Sequence, residues 1–397
     1  MSAGVYLHIP FCKSRCSYCD FATDVYRDAA IVKRYVDALC REILSEPPAS
    51  AGGKDSNTAN AAFVSSAAPP ADAGGSDVDT IYFGGGTPSL LEPGQAARIL
   101  GAIRDKFEVS PDVEITMEMN PATVSAETLA AYRELGVIRA SFGVQTFNDR
   151  DLKLLARGHD ANDARETFKL LRETGFENIS FDLIAGLPGQ TLDDWERNLD
   201  EAIAMGPEHL SLYLLEIHQG TPLAEQLRSR RRPMPDEDTA AAMYEMLLDR
   251  TAAAGMPQYE ISNFARPGFE SRHNTKYWRL DPVYGFGVSA HSFDGVERYW
   301  NERDTARYVE GIEHCGSAEV GRESIDTASE FVFLGLRLTG GLSLAEYRER
   351  FRSDLRETAA EELDRLTEAG LITLEGDRLT LTRKGTLFSN NVFVEFV

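Results

Sequence analysis

The chain has 397 residues, of which 43% are hydrophobic and 26% charged, enough apolar material for a large core or for two domains. Lysine and arginine total 41 against 63 acidic residues, a formal net charge of −22, the wrong sign for a general binder of phosphate backbones. No stretch approaches the roughly 20 apolar residues of a membrane span. The N-terminus MSAGVYLHIPFC carries neither a basic n-region nor a cleavage site, so a soluble cytoplasmic protein is expected, not integral to a membrane and without nucleic-acid partners.

In chain order, β-branched runs at 5–9, 80–83, 114–119, 139–144, 178–184 and 209–215 alternate with helical patterns, which predicts an α/β fold with a parallel sheet. Several runs end in polar or glycine-rich tips: FGGGTP, EMNP, FGVQ, DLIAGLPGQ and LEIHQG. Reactive residues collect at the C-terminal ends of strands in such folds, so the site is expected there. Six units are too few for an eight-fold barrel and predict a partial, open one. Between the first helix and the second strand, 46–77 is rich in Ala, Ser, Pro and Gly and reads as a flexible surface insertion.

After residue 230 the pattern changes. Arg230, Arg231 and Arg232 read as a solvated helix end, followed by an acidic, Ala-rich helix over 235–254 and a segment dense in aromatics and glycines over 259–300. From 329 onward short helices lead to LTEAGLITLEGDRLTLTRKG, a helix and then two strands joined by Gly376-Asp377, which is a winged-helix-like α+β order. With this acidity, a protein contact or a lid fits that unit better than DNA binding. The chain thus divides into 1–230, a connecting region 231–325, and 326–397.

Five cysteines occur, at 12, 16, 19, 40 and 315. An odd number with three of them clustered points to a metal or redox site in a reducing compartment. Cys12, Cys16 and Cys19 form CxxxCxxC just after the first strand. Three thiolates on one tight loop can hold three irons of a 4Fe-4S cube and leave the fourth iron open. The same residues also admit a zinc site completed by His8, a two-cysteine redox pair at Cys16 and Cys19, or chance clustering. Tyr18 adds an aromatic wall, and the run Gly84-Gly85-Gly86-Thr87-Pro88 offers bare backbone to a small zwitterion. Cys40 and Cys315 read as spare.

On these residues the sequence resembles the radical S-adenosylmethionine (SAM) superfamily, and within it the HemN/HemW group of oxygen-independent coproporphyrinogen oxidases and their haem-chaperone relatives. The resemblance runs in order through YLHIPFCKSRCSYCDF, IYFGGGTPSLL, EMNPATV, RASFGVQTFND, LARGHD, FDLIAGLPGQT and LYLLEIHQGTPL to the C-terminal unit. It implies a partial parallel (β/α)6 radical SAM barrel over 1–230 and a smaller HemN-like domain over 326–397. By the same resemblance Cys12, Cys16 and Cys19 hold the cluster and SAM chelates its open iron. Tyr6, Gly85 and Glu118 match positions for a first SAM, and Gly86, Thr87, Gln145, Arg157 and Asp182 match those for a second. The chemistry agrees, since Glu118 can accept ribose hydroxyls and Arg157, oriented by Asp182, can pair with a methionine carboxylate. Taken singly, these residues also read as ordinary strand residues and an ion pair.

Two features separate the branches. The oxidases typically carry a further cysteine where Phe21 stands, and an extension before the first strand, whereas here five residues precede Tyr6. The motif His273-Asn274-Thr275-Lys276-Tyr277-Trp278 resembles the HNxxYW signature of the haem chaperones. It implies that His273 ligates haem iron, with Asn274 nearby and Tyr277 and Trp278 packed on the porphyrin. The plain alternative is a hydrogen-bonded loop histidine with core aromatics. Of the other histidines, His8 lies in the first strand, His159 and His218 near strand tips and His291 after GFGVSAH, while His209 and His314 read as surface residues. The implied function is a haem chaperone that uses a 4Fe-4S cluster and SAM, binds haem and passes it to an acceptor protein. The runner-up is a coproporphyrinogen oxidase, and a zinc-stabilised interaction protein is the reading from another class.

Overall fold

The computed structural model describes residues 2–25, 28–45, 77–234 and 236–397. The expected insertion, apart from Asp77, lies outside the described residues. Along the chain come β1 (Ala3–Ile9), the short β2 (Phe11–Cys12) and β3 (Asp24–Val25), then β4 (Val78–Gly85), β5 (Val109–Met119), β6 (Arg139–Gln145), β7 (Asn178–Ala185) and β8 (His209–Leu214). They are followed by β9 (Gln258–Glu260), β10 (Asn263–Ala265), β11 (Val283–Phe286), β12 (His291–Phe293), β13 (Glu297–Asn301) and β14 (Glu319–Ser324).

Twelve of these strands form one sheet in the order β14-β13-β12-β11-β1-β4-β5-β6-β7-β8-β10-β9. From β1 to β8 the neighbours pair in parallel in chain order, as the alternation of strands and helices predicts. The structure corrects the strand count, because β11 adds a seventh parallel strand on the other edge of β1. Its four residues, VYGF, are too short to show a period in an aromatic, glycine-rich segment. Antiparallel β12 to β14 continue that edge, and β10 with β9 extends β8, so residues 231–325 build both flanks of the sheet.

Side chains alternate between two faces, as strand geometry requires. Val5, Leu7, Ile9, Ile81, Phe83, Ile115, Met117, Phe142 and Phe181 are buried in the main core with residues of the covering helices, among them Leu39 of Ala29–Ser45, Ile99 of Pro93–Lys106 and Trp195 of Leu192–Met205. Each such side chain contributes about 1.5–3 kcal/mol of burial. The intervening positions carry Tyr6, His8, Tyr82, Glu118, Arg139 and Asp182, so the opposite face is polar. Capping boxes at Asp160 and Thr191 start the helices Ala161–Glu173 and Leu192–Met205, which fixes where the LARGHD and GLPGQT segments end.

The C-terminal unit has its own apolar cluster, joined by Leu280 and Phe293 from the main unit. Its strands β15 (Leu342–Ser343), β16 (Ile372–Glu375) and β17 (Arg378–Leu381) lie in the order β15-β17-β16. The helix Ala360–Glu368 precedes the β16–β17 hairpin, the order read from the sequence, and Gly376 supplies the left-handed turn residue. Among the described residues no helix is long and apolar enough to cross a membrane.

Candidate functional site

The cysteine loop is anchored at its root and along its length. β2 and β3 pair through Phe11 with Asp24 and Cys12 with Val25. The Ser17 N–H donates to the Leu155 carbonyl at 2.9 Å, Ser17 Oγ donates to the Leu154 carbonyl at 2.9 Å, and the Leu223 N–H donates to the Ser17 carbonyl at 2.8 Å. The loop therefore sits between the segments that follow β6 and β8, at the C-terminal mouth of the sheet. Its three cysteines are free and half-buried. Thr87 Oγ1 donates to Cys12 Sγ at 3.6 Å, and Arg157 Nη1 donates to Cys16 Sγ at 3.5 Å. Burial pushes the Cys12 thiol up to about 11 and raises Cys19 as well, so the bare loop favours protonated thiols, a preference that a bound cation reverses.

The donor set suits an iron-sulfur cluster better than a single ion. A zinc site would need His8, but its Nε2 is bonded to the Ala22 carbonyl at 2.9 Å and its Nδ1 to the Tyr6 hydroxyl at 3.2 Å. Among the described residues no three His, Cys, Asp or Glu side chains gather as one ion requires, whereas a cube takes each cysteine on a separate iron. Arg157 Nε is buried without a hydrogen-bond partner, a free donor beside Cys16 that suits a carboxylate.

The glycine tip of β4 is packed closely against the protein itself. A Cβ on Gly84 would meet Tyr6 at 2.8 Å, one on Gly85 would meet the His8 ring at 2.8 Å, and one on Gly86 would meet the Phe11 carbonyl at 2.8 Å. The missing side chains make room for the protein itself, letting β4 close on the root of the cysteine loop, where the Gly86 N–H donates to the Ile9 carbonyl at 2.8 Å. Gly85, at φ +106°, turns its N–H toward Glu118 Oε2 at 3.1 Å, while the Tyr82 hydroxyl donates to Glu118 Oε1 at 2.9 Å. Burial, and then the nearby Asp182 carboxylate, raise Glu118 to about 7. Burial also raises Asp182, opposed by Ser211, Arg139 and Arg157.

A second group is chained together by Asn120. Its Nδ2 donates to Thr87 Oγ1 at 2.8 Å, and its Oδ1 accepts from Arg157 Nη2 at 2.7 Å, which also reaches the Gly143 carbonyl at 2.7 Å. Gln145 is held at φ +66°, a conformation uncommon outside glycine, and a Cβ on Gly143 would strike its Nε2. The structure thus joins Gly85 directly to Glu118 and stacks Tyr6 on Tyr82, Glu118's other partner, at 6.2 Å. It separately joins Thr87, Arg157 and Gln145 beside the cysteine loop, with Gly86 packed on the loop root. Asp182 acts electrostatically on Glu118 and responds to Arg157. Asn120, Tyr82 and Arg139 were not singled out from the sequence, although each lies within EMNP, IYFGGG or RASFGVQ at the alternating position that faces the polar side.

The HNxxYW motif forms the helix Arg272–Trp278. His273 is 1% exposed, with Nδ1 bonded to Thr80 Oγ1 at 2.9 Å and Nε2 to the Tyr277 hydroxyl at 3.2 Å. Its ring stacks on Tyr82 at 5.0 Å. Burial, Lys276 and Arg139 lower its basicity to a pKa of about 3. Glu114 accepts the N–H groups of Arg272 and His273, and Lys276 pairs with Asp79 at 2.7 Å, so the helix is fixed over the polar face near the starts of β1, β4 and β5. Both imidazole nitrogens are engaged inside the fold, which ties the HNxxYW helix to the polar face of the sheet. Asn274 enters through its N–H, which donates to Ser271 Oγ at 3.2 Å, and the Trp278 ring lies under Arg337 of the C-terminal unit at 4.2 Å. His209 is a correction, since it is fully buried between Ser180 and Tyr259, both at 2.8 Å.

Residues 6–202 match the family model of the Radical SAM superfamily, and 323–388 match that of the HemN C-terminal domain. A Bacillus subtilis protein described as heme chaperone HemW is 36% identical over 99% of both chains. The chain belongs to the HemW family of radical SAM proteins. An Escherichia coli heme chaperone HemW is 32% identical over 99% of this chain and 98% of its own. A Bos taurus mitochondrial radical S-adenosyl methionine domain-containing protein 1 is 31% identical over 96% and 84%. The fold matches E. coli coproporphyrinogen III oxidase HemN with a TM-score of 0.81 at 24% identity, covering 100% of this chain and 90% of that one.

Proposed function

We propose that the protein is a haem chaperone that binds haem and hands it to an acceptor protein in the cytoplasm, with a 4Fe-4S cluster on Cys12, Cys16 and Cys19 and SAM at the barrel mouth. The observation that carries this reading is the cysteine loop itself, three free thiols held by Thr87, Arg157 and the β6 and β8 segments in a chain whose full-length relatives are described as heme chaperones. Such thiols persist in a reducing compartment. When bound, the cluster supplies an electron that can cleave SAM reductively. Around it, Glu118 offers its carboxylate to ribose hydroxyls, with Gly85 and Tyr82 fixing its orientation. Arg157 reaches the loop through Nη1 and keeps a buried Nε without a partner, available to a carboxylate, while Asn120 holds its Nη2. Gln145 and Asp182 complete the rim.

Phe21, standing where the oxidases typically have a cysteine, favours haem transfer over coproporphyrinogen decarboxylation. The test is to load the reconstituted protein with haem without oxygen, mix it with a haem-free acceptor haemoprotein of distinct Soret maximum, and assay coproporphyrinogen turnover in parallel. Transfer without porphyrin turnover is expected. Turnover to protoporphyrinogen without haem binding would replace this reading by the oxidase.

A further inference from the structure

Among the described residues Arg139, Arg157 and Arg337 each keep a buried Nε without a hydrogen-bond partner. Arg157 lies beside Cys16 in the site already described, and Arg139 is 1% exposed, out of reach of a ligand. Arg337 is neither. It belongs to the C-terminal unit, and its side chain is 25% exposed.

The backbone holds Arg337 against the edge of the main sheet. Leu338 forms an antiparallel bridge with Glu260 of β9, and the Thr339 N–H donates to the Tyr259 carbonyl at 3.0 Å. From there the guanidinium lies over the Trp278 ring at 4.2 Å and over the Phe393 ring at 5.8 Å. Aromatic rings take up the flat surface of the cation and leave its in-plane N–H groups, the fork that matches a carboxylate, to other partners. Glu260 does not fill that role. Its Oε2 stands 4.0 Å from Arg337 Nη2, too long for a hydrogen bond, and is itself buried without a partner, while its Oε1 accepts from the Ser262 N–H and Asn263 Nδ2. Burial lowers the Arg337 guanidinium from its ordinary value and raises the Glu260 carboxyl, so each charge is short of compensation.

Other arginines that join the two units have engaged their donors. Arg298 holds Glu330 at 2.9 and 2.6 Å, Arg350 donates to the Leu280 carbonyl at 3.0 Å, and Arg383 donates to Asp249 at 2.7 Å and to Glu245. Arg337 instead lines an open cavity of about 310 Å³ between the units, whose walls include Leu248, Ile261, Leu336 and Leu381. That volume is at the low end for small-molecule sites and takes one arm of a larger ligand. An apolar wall with an undercompensated guanidinium selects a carboxylate on an apolar stem. Haem carries such groups in its propionate side chains.

We propose that Arg337 anchors a haem propionate in the cavity between the C-terminal unit and the edge of β9, which makes the C-terminal unit part of the haem site. This rests on the haem-chaperone reading and adds to it the residue that recognises the carboxylate. The test is an anaerobic Soret titration of the reconstituted full-length protein with haem and with haem dimethyl ester, in which the carboxylates are blocked, for wild type, Arg337→Met, Arg337→Gln and Arg298→Met. Wild type is expected to prefer haem by about tenfold or more. Both Arg337 variants should lose that preference by weakening haem alone, and Arg298→Met, which also cuts a contact between the units, should keep it. A merely loosened fold weakens both ligands alike and leaves the ratio standing. A wild-type ratio near one, or Arg337 variants that keep the wild-type ratio or lose both ligands alike, overturns the anchor and leaves haem binding standing, whereas absence of saturable haem binding by the wild type overturns both.

Discussion

Replacing His273 by alanine separates a packing histidine from an iron ligand. The substitution removes an imidazole that is 1% exposed, its bonds to Thr80 and Tyr277 at 2.9 and 3.2 Å, and its stacking on Tyr82. Two hydrogen bonds at about 1 kcal/mol each, with a further 1–2 kcal/mol or so for the partly collapsed cavity, give a loss of about 3 kcal/mol. For a chain of this size that lowers the melting temperature by roughly 3–4 °C. Thermal unfolding of the metal-free protein, followed by circular dichroism, measures it in the absence of haem and cluster. The same variant, handled below its transition, should bind haem with the wild-type Soret maximum. Unchanged thermal stability together with a lost haem spectrum would refute the packing argument and return His273 to the iron.

Gly86→Ala brings a Cβ to 2.8 Å from the Phe11 carbonyl oxygen and the Pro10 carbonyl carbon, an overpacking that costs about 1–3 kcal/mol and pushes β4 off the loop root. Iron retained after anaerobic gel filtration should fall, while Gly101→Ala, whose Cβ meets nothing within 4 Å, retains it; equal retention in both would contradict the role given to the glycine tip. Glu118 titrates at about 7 instead of near 4.5, so folding favours its protonated form, and that contribution is lost as pH rises from 4.5 through 7. The stability of Glu118→Gln relative to wild type should therefore climb across that window by at most about 3 kcal/mol; urea midpoints that keep a constant difference would show that Glu118 is not so perturbed. Glu42→Ala strands the Gly287 N–H and the Tyr308 hydroxyl and leaves Asn301 Nδ2 only its bond to the Gly287 carbonyl, all three being donors to that carboxylate within the core. A loss of at least about 3 kcal/mol is expected in urea unfolding, and a loss below 1 kcal/mol would contradict that network's weight.

The parallel strands from β1 to β8 were legible because each run alternates a buried apolar set with a polar set, a local property of sequence. β11 was not, since four residues in a glycine-rich stretch acquire strand identity only by pairing with β1. The cysteine loop was legible for the same local reason, three thiols within eight positions. Its partners Thr87 and Arg157 were placed only through a family resemblance, because their contacts to Cys12 and Cys16 span 75 and 141 residues. The surroundings of His273 were not legible, for its partners are a hydroxyl 193 residues earlier and a helix start tied to Glu114. The glycine run shows the same limit, since its composition reveals close approach but not whether a ligand or the chain's own backbone is what approaches.

The account stands most directly on the contents of the cysteine loop. Protein purified and reconstituted without oxygen should carry about four irons and four acid-labile sulfides per chain. The electron paramagnetic resonance signal of the reduced protein should change on adding SAM, and Cys16→Ala should lose both the iron and the signal. Zinc bound without sulfide, or a cluster signal indifferent to SAM, would contradict it.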